Sequence, residues 1–291
     1  MKFVTFLNEK GIRRAGWVEG NRIFDMNTVS NGKLPDNMLV FLEASERNLA
    51  IVESLVGNVS ETHTLEEVRL TAPLPNPSSI RDFIAFEKHA RNAGKRSGMP
   101  VPAEWYEIPV FYFTNHLAVF GPNEQIARPV HCRMLDYELE MACVIGKKGR
   151  NIKAREAEDY IFGYTIFNDW SARDLQGKEM KVGLGPAKGK DFANSIGPYI
   201  VTKDELEMYR EGNKFDLQMT AKINGKLISE GNFKDIYYTF GEMIERASES
   251  VTLYPGDMIG SGTVGEGCLL ELGPTVHPWL EPGDDVELEI S

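Results

Sequence analysis

From Val110 to the end, glycine, proline and Asn-Gly turns cut the chain into short strand-like runs, with only two amphipathic helical stretches among them. This pattern constrains the fold most. A doubly wound parallel sheet needs a helical crossover between successive strands, and regular strand–helix alternation is missing here. The run 221-AKINGKLIS-229 centres on Asn-Gly, which predicts a hairpin with a type I′ turn. The helical stretches are 154-AREAEDYIFG-163 and 238-YTFGEMIERASES-250. The fold expected is α+β and mainly β, a mixed β-sandwich roll with a few covering helices. Ahead of it, KFVTFL, RRAGWVEG and NRIFDM predict a hairpin and a third strand, followed by a helical stretch over residues 36–57. In 71-TAPLPNPSSI-80 three alternate prolines block both helix and central strand. A small N-terminal α/β domain over residues 1–72 and a larger domain over residues 79–291 are expected on either side. The segment DFIAFEKHARNAGKRSG then predicts a helix from near Asp82 to Gly94 or Gly98.

Composition narrows the function classes. A net charge of -11 argues against nucleic acid or an anionic membrane surface as the main partner, because both need a basic face. No segment approaches the roughly 20 apolar residues of a membrane-spanning helix, and the start MKFVTFLNEKGIRR lacks a signal-peptide pattern. Cys132, Cys143 and Cys268 are odd in number and unclustered, so neither disulfides nor a zinc site is expected. A cytoplasmic protein is expected.

The run 135-LDYELEM-141 sets Asp136, Glu138 and Glu140 at alternate positions, hence on one face of a strand, with Tyr137, Leu139, Met141, Cys143 and Ile145 on the other. A solvated sheet edge satisfies this pattern, and so does an oxygen-rich cation site. In 164-YTIFNDWSARDLQ-176 a strand-like run ends at Asp169, where an acid can converge on a neighbouring strand or cap a helix. Glu138, Glu140 and Asp169 together would suit Mg²⁺, Mn²⁺ or Ca²⁺, with no His or Cys spaced to recruit a softer metal. Asp82 and His89, seven residues apart, would share a face of a common helix. A lone histidine is more often structural, and His63, His116, His131 and His277 are read that way. The loops 183-GLGPAKGKDFANSIGP-198 and 260-GSGTVGEGCLLELG-273 are glycine-rich without matching a phosphate loop. In the second, Glu271 sits between leucines in an expected strand and needs a partner.

LDYELEM, FGYTIFNDWSARDLQ, LGPAKGKDF and GSGTVGEGCLLEL together resemble, in order and spacing, the signature blocks of the fumarylacetoacetate hydrolase family, over about residues 79–291. The resemblance implies a β-sandwich roll, a homodimer, and Mg²⁺, Mn²⁺ or Ca²⁺ held by Glu138, Glu140 and Asp169, with Asp82 as a fourth acid. It implies that His89 activates water and that Glu271 pairs with it. Lys190, Arg173, Gln176, Thr263 and Tyr112 match residues that line the site or hold substrate. Asp136 is expected to be structural. Ile84 and Met180 stand where the family's namesake enzyme has tyrosines, which removes two hydroxyls from the pocket. The activity expected is metal-dependent hydrolysis of a carbon–carbon bond in an acylpyruvate-type 1,3-dicarbonyl acid, an anionic 2-oxo acid. Oxaloacetate decarboxylation and 2-oxo acid hydration or isomerisation are the alternatives within the family. A non-catalytic metal- or ligand-binding protein is the alternative outside it.

Overall fold

The computed structural model describes residues 1–98 and 100–291. A 12-stranded sheet organises it. From one edge it runs through His63–Thr64, Arg22–Asp25, Arg13–Glu19, Lys2–Leu7, Asn194–Thr202, Ile161–Asp169, Leu139–Ile145, Asp257–Gly260, Ser79–Phe83 and Phe111–Thr114. Arg69–Leu70 and Val119–Phe120 pair off this path, with Lys2–Leu7 and Asn194–Thr202 respectively. Most pairings are antiparallel; Asp257–Gly260 lies parallel to Ser79–Phe83. A second sheet of Lys226–Asn232, Gln218–Ile223 and Val286–Ile290 completes the sandwich. The expected sheet-dominated mixed fold is therefore observed. Among the described residues no helix is long and apolar enough to cross a membrane.

The strand Leu139–Ile145 shows why the layers form. Its residues are all buried, and alternate side chains feed different cores. Leu139, Met141, Cys143 and Ile145 pack with Met219, Ala221 and Ile223 of the second sheet. Ala142 and Val144 face the other way, toward Phe3, Phe162, Phe167 and Ile196. Each large apolar side chain buried this way contributes roughly 1.5–3 kcal/mol. The strand is thus gripped on both faces. The helix Phe240–Ser248 covers the first core with Phe240, Met243, Ile244 and Ala247, at helical spacing, and Thr239 and Glu242 close a capping box at its start. The Asn224-Gly225 turn joins its two strands with both residues at positive φ, 51° and 77°, as the type I′ expectation requires.

The N-terminal strands do not stand apart from the rest. Lys2–Leu7 adds to the same sheet through Lys2↔Val201 and Phe3↔Ile200. Residues 71–78 carry neither helix nor strand.

Several local expectations are corrected. Asp82 lies in the strand Ser79–Phe83, and the helix starts only at Glu87, because the parallel neighbour Asp257–Gly260 claims the Asp82 backbone. LDYELEM is not one strand. Leu135–Asp136 pairs with Ser171–Ala172 in a separate ladder, and the main strand resumes at Leu139. Between them the Glu138 N–H donates to the Asn168 side chain instead of to a strand. Residues 154–160 form a 3₁₀ helix that turns into a strand at Ile161. The helical stretch over 36–57 is two helices, Met38–Glu43 and Ser45–Leu55, parted at Ala44.

Close approach of strands makes Gly163 a sensitive position. A Cβ there would lie 2.4 Å from the Val201 carbonyl oxygen and 2.9 Å from Ile200 Cγ2. Gly163→Ala is expected to lower stability by about 1–3 kcal/mol in a denaturant melt. An unchanged midpoint would show that the strand pair yields freely.

Candidate active site

Three strands of the main sheet deliver four acids to one place. Asp82 comes from Ser79–Phe83, Glu140 from Leu139–Ile145 with Glu138 just before it, and Asp169 from the end of Ile161–Asp169. One carboxylate oxygen from each lies within 4.8 Å of the others, and all four residues are buried. The solvated-edge reading of Glu138 and Glu140 is excluded by that burial. Asp82 Oδ1, Glu140 Oε2 and Asp169 Oδ1 have no hydrogen-bond partner. Glycine at 260 makes room for them, since a Cβ there would meet Asp82 Oδ1 at 2.4 Å.

Oxygens of Asp169, Glu138 and Glu140 are engaged. Lys190 Nζ donates to Asp169 Oδ2 at 2.6 Å and also to Glu138. The Tyr112 hydroxyl donates to Asp169, and Thr263 Oγ1 donates to Glu140 at 3.3 Å. Arg173 Nη2 donates to Glu138 at 2.8 Å, and Nη1 donates to Gln176 Oε1 at 3.1 Å. Gln176 follows Arg173 on the helix Arg173–Glu179. The structure brings Lys190, Tyr112, Thr263 and Arg173 to the acids, and Gln176 to Arg173.

Burial and the neighbouring carboxylates push the Asp82 and Glu140 carboxyls well above the ordinary carboxylate range. Asp169 is also raised, by burial against the pull of Lys190. Glu138 goes the other way: burial opposes it, but Lys190, Arg173 and His89 together hold it below its usual value. Burial tends to discharge Lys190, yet Asp169 and Glu138 keep it charged beyond the usual lysine range. With Asp136, five buried carboxylates face two buried cations, Lys190 and Arg173. Such an excess of anionic oxygen, with unpartnered oxygens converging and no nitrogen or sulfur among the four, fits a hard divalent cation.

Beside this cluster lies a second constellation. His89 Nδ1 is 2.7 Å from Glu271 Oε2, and both residues are buried. His89 stands on the helix Glu87–Ser97. Glu271 belongs to a turn of helix, Leu269–Leu272, not to the strand expected from its sequence. Its Oε1 accepts from Asn92 Nδ2 at 3.1 Å and from the Glu266 N–H at 2.8 Å, and the Cys268 thiol lies 3.4 Å from Oε2. Burial raises the Glu271 carboxyl, but His89 and these donors outweigh it and leave it lowered. A carboxylate on Nδ1 fixes the tautomer and leaves Nε2 as the basic nitrogen. Asn92 and Cys268 were not anticipated. Asn92, three residues after His89 on one helix face, was detectable from spacing; Cys268 was not.

The family model described as "Fumarylacetoacetate (FAA) hydrolase C-terminal" matches residues 78–291. A mitochondrial oxaloacetate tautomerase of Bos taurus is 32% identical over 276 residues, which is 93% of this chain and 81% of that protein. The mitochondrial oxaloacetate tautomerase of Xenopus laevis is 33% identical, over 94% of this chain and 80% of its own. Among solved structures, maleylpyruvate hydrolase from Sphingobium sp. SYK-6 superposes with a TM-score of 0.74 at 25% identity, covering 100% of this chain and 95% of that one. The same hydrolase with manganese(II) and pyruvate gives 0.75 at 24% and the same coverage. The match over residues 78–291, together with relatives above 30% identity along nearly the whole chain, means that this protein belongs to the fumarylacetoacetate hydrolase family.

Proposed function

We propose that the chain is a divalent-cation-dependent enzyme that hydrolyses a carbon–carbon bond in an acylpyruvate-type 2-oxo acid. The observation that carries this reading is the buried His89–Glu271 pair beside four converging carboxylates. Glu138, Glu140, Asp169 and Asp82 would hold the cation, Mg²⁺ or Mn²⁺ by donor type, or Ca²⁺. When bound, it supplies Lewis-acid polarisation of the 2-oxo acid oxygens.

The chain's own residues do the rest. His89 Nε2 takes a proton from water while Glu271 steadies the imidazolium on Nδ1. The hydroxide adds to the distal carbonyl, the bond between that carbon and the pyruvate unit breaks, and its electron pair stays on pyruvate as an enolate. The imidazolium returns its proton to the methylene carbon of that enolate, which releases pyruvate and the carboxylic acid formed from the distal carbonyl. Lys190 and the Gln176 amide offer hydrogen bonds to the developing charge, and Tyr112 and Thr263 fix the carboxylates around it. With the cation bound, its charge and that of Lys190 would offset the excess of carboxylates and give an anion a local attraction despite the net charge of -11.

A second reading is keto–enol isomerisation of an oxaloacetate-type acid, and the tautomerases at 32% and 33% identity favour it. There His89 would move a proton between carbon and solvent without adding water. Turnover of acylpyruvates, maleylpyruvate, and keto and enol oxaloacetate with Mg²⁺ or Mn²⁺ separates the two. Cleavage products support the first reading, and enol decay without cleavage supports the second. Silence across the panel, with cation binding intact, leaves the binding-protein class.

Asp82 and Glu140 keep protons to higher pH in the folded chain than their ordinary values of 3.8 and 4.5 allow. Folding then takes up protons in the window above about pH 4, so without a cation stability falls as pH rises through it. Cation binding must expel those protons. Mn²⁺ affinity should therefore rise with pH, and calorimetry in buffers of different ionisation enthalpy should register proton release. Glu140→Gln should weaken binding and reduce the release. A pH-independent affinity would count against the cluster as the cation site.

His89→Ala and Glu271→Gln should each lower kcat by about two to four decades. Their combination should be hardly slower than either, because residues acting as one unit are not additive. Mn²⁺ affinity should barely change. Additive losses would dissolve the pair.

A further inference from the structure

We propose that Asp136 and Arg173 are positioning residues that hold the His89–Glu271 pair in register with the carboxylate cluster; the proposal rests on the proton-transfer reading above. One route of hydrogen bonds connects the two constellations. Arg173 Nη2 donates to Glu138 Oε1 at 2.8 Å, and Nε donates to Asp136 Oδ2 at 2.8 Å. Asp136 then accepts the Leu269 N–H on Oδ1 at 2.8 Å and the Leu270 N–H on Oδ2 at 3.0 Å. These are the first amides of the turn Leu269–Leu272, which carries Glu271. The guanidinium and the Asp136 carboxylate thus span the distance from an acid of the cluster to the backbone under Glu271.

The geometry suits a brace better than a substrate contact. Each of the three Arg173 nitrogens donates to a protein acceptor, and Arg173 and Asp136 are 6% and 0% exposed. Both are anchored by backbone: Leu135–Asp136 pairs with Ser171–Ala172, and the Arg173 N–H donates to the Met134 carbonyl at 2.9 Å. A planar guanidinium can bridge two carboxylates at fixed separation, which a lysine ammonium does poorly. Charge neutralisation alone would need no partner on the Glu271 turn. The effect on rate follows from placement, since misplacing a catalytic group by about 1 Å can cost about 10²-fold.

Asp136→Asn and Arg173→Lys test this in the full chain. In Asp136→Asn, amide exchange at Leu269 and Leu270 should quicken about tenfold without any cation or substrate present. In both variants the His89 ring-nitrogen NMR signals should move from their wild-type positions. On the substrate panel, kcat should fall about 10–100-fold with KM within about twofold. Asp136→Asn combined with Glu271→Gln should be no slower than Glu271→Gln alone. Wild-type exchange and His89 signals, or additive kcat losses, would overturn the brace. If Asp136→Asn does not fold, Arg173→Lys, which keeps the positive charge, is read by the same His89 signals and kinetics, and wild-type values in it overturn the brace as well. A wild-type enzyme inactive on every substrate would defeat the functional reading, while exchange and NMR would still decide the brace.

Discussion

Asp82, Asp136, Glu138, Glu140 and Asp169 lie out of water around Lys190 and Arg173, and like charges this close repel strongly where solvent cannot screen them. Much of the molecule follows from containing that repulsion. The strands ending at Asp169 and bearing Glu140 are adjacent in the main sheet, and Asp257–Gly260 joins the Asp82 strand to them, so ladder hydrogen bonds oppose any spreading of the cluster. The central strand is packed on both faces, which prevents it from twisting Glu140 out toward water. Asp82 and Glu140 meet the remaining imbalance by retaining protons, and a divalent cation would meet it instead.

Carboxylates of one chemical type receive opposite treatment a short distance apart. Glu271 has a donor on every side: His89, Asn92, the Glu266 amide and the Cys268 thiol. It stays ionised and rigid, as a partner for an imidazole should. Asp82, Glu140 and Asp169 each keep a bare oxygen turned toward the others. Satisfaction suits an acid that orients another group, and deprivation suits acids that would take a ligand.

Local pattern carried part of this into the sequence. The alternation of Glu138 and Glu140 with Leu139 and Met141 was legible because a strand's period of two is strong, and the apolar half did become core. Asp169 was legible as the end of a strand-like run. Asp82 was misplaced on a helix because SIRDF is short, and the parallel neighbour that makes it a strand comes more than 170 residues later in the Asp257↔Ser79 pairing. Glu271 falls in a helical turn instead of a strand because LLEL suits either state, and the Asp136 carboxylate that accepts the first two amides of the turn is distant in sequence. The meeting of His89 with Glu271 entered through family resemblance alone, since no local rule joins residues 182 apart. The link from Arg173 through Asp136 left no sequence trace.

The pairing of Lys2–Leu7 with Asn194–Thr202 bears on the order in which the chain can assemble. The strand is synthesised long before Asn194–Thr202, so the Lys2–Phe3 half of one flank stays bare until a partner about two hundred residues later has emerged, while Phe6 and Leu7 find Leu70 and Arg69 sooner. Until then the N-terminal hairpin presents an open edge rich in Phe3, Val4 and Phe6, a surface inviting contact with other nascent chains. Contacts this distant in sequence close slowly, because the loop entropy is lost before any packing is gained. The sheet that holds the acids in place in the folded protein is therefore completed late, and its unfinished edge is the place where a partly folded chain is most open to wrong pairing.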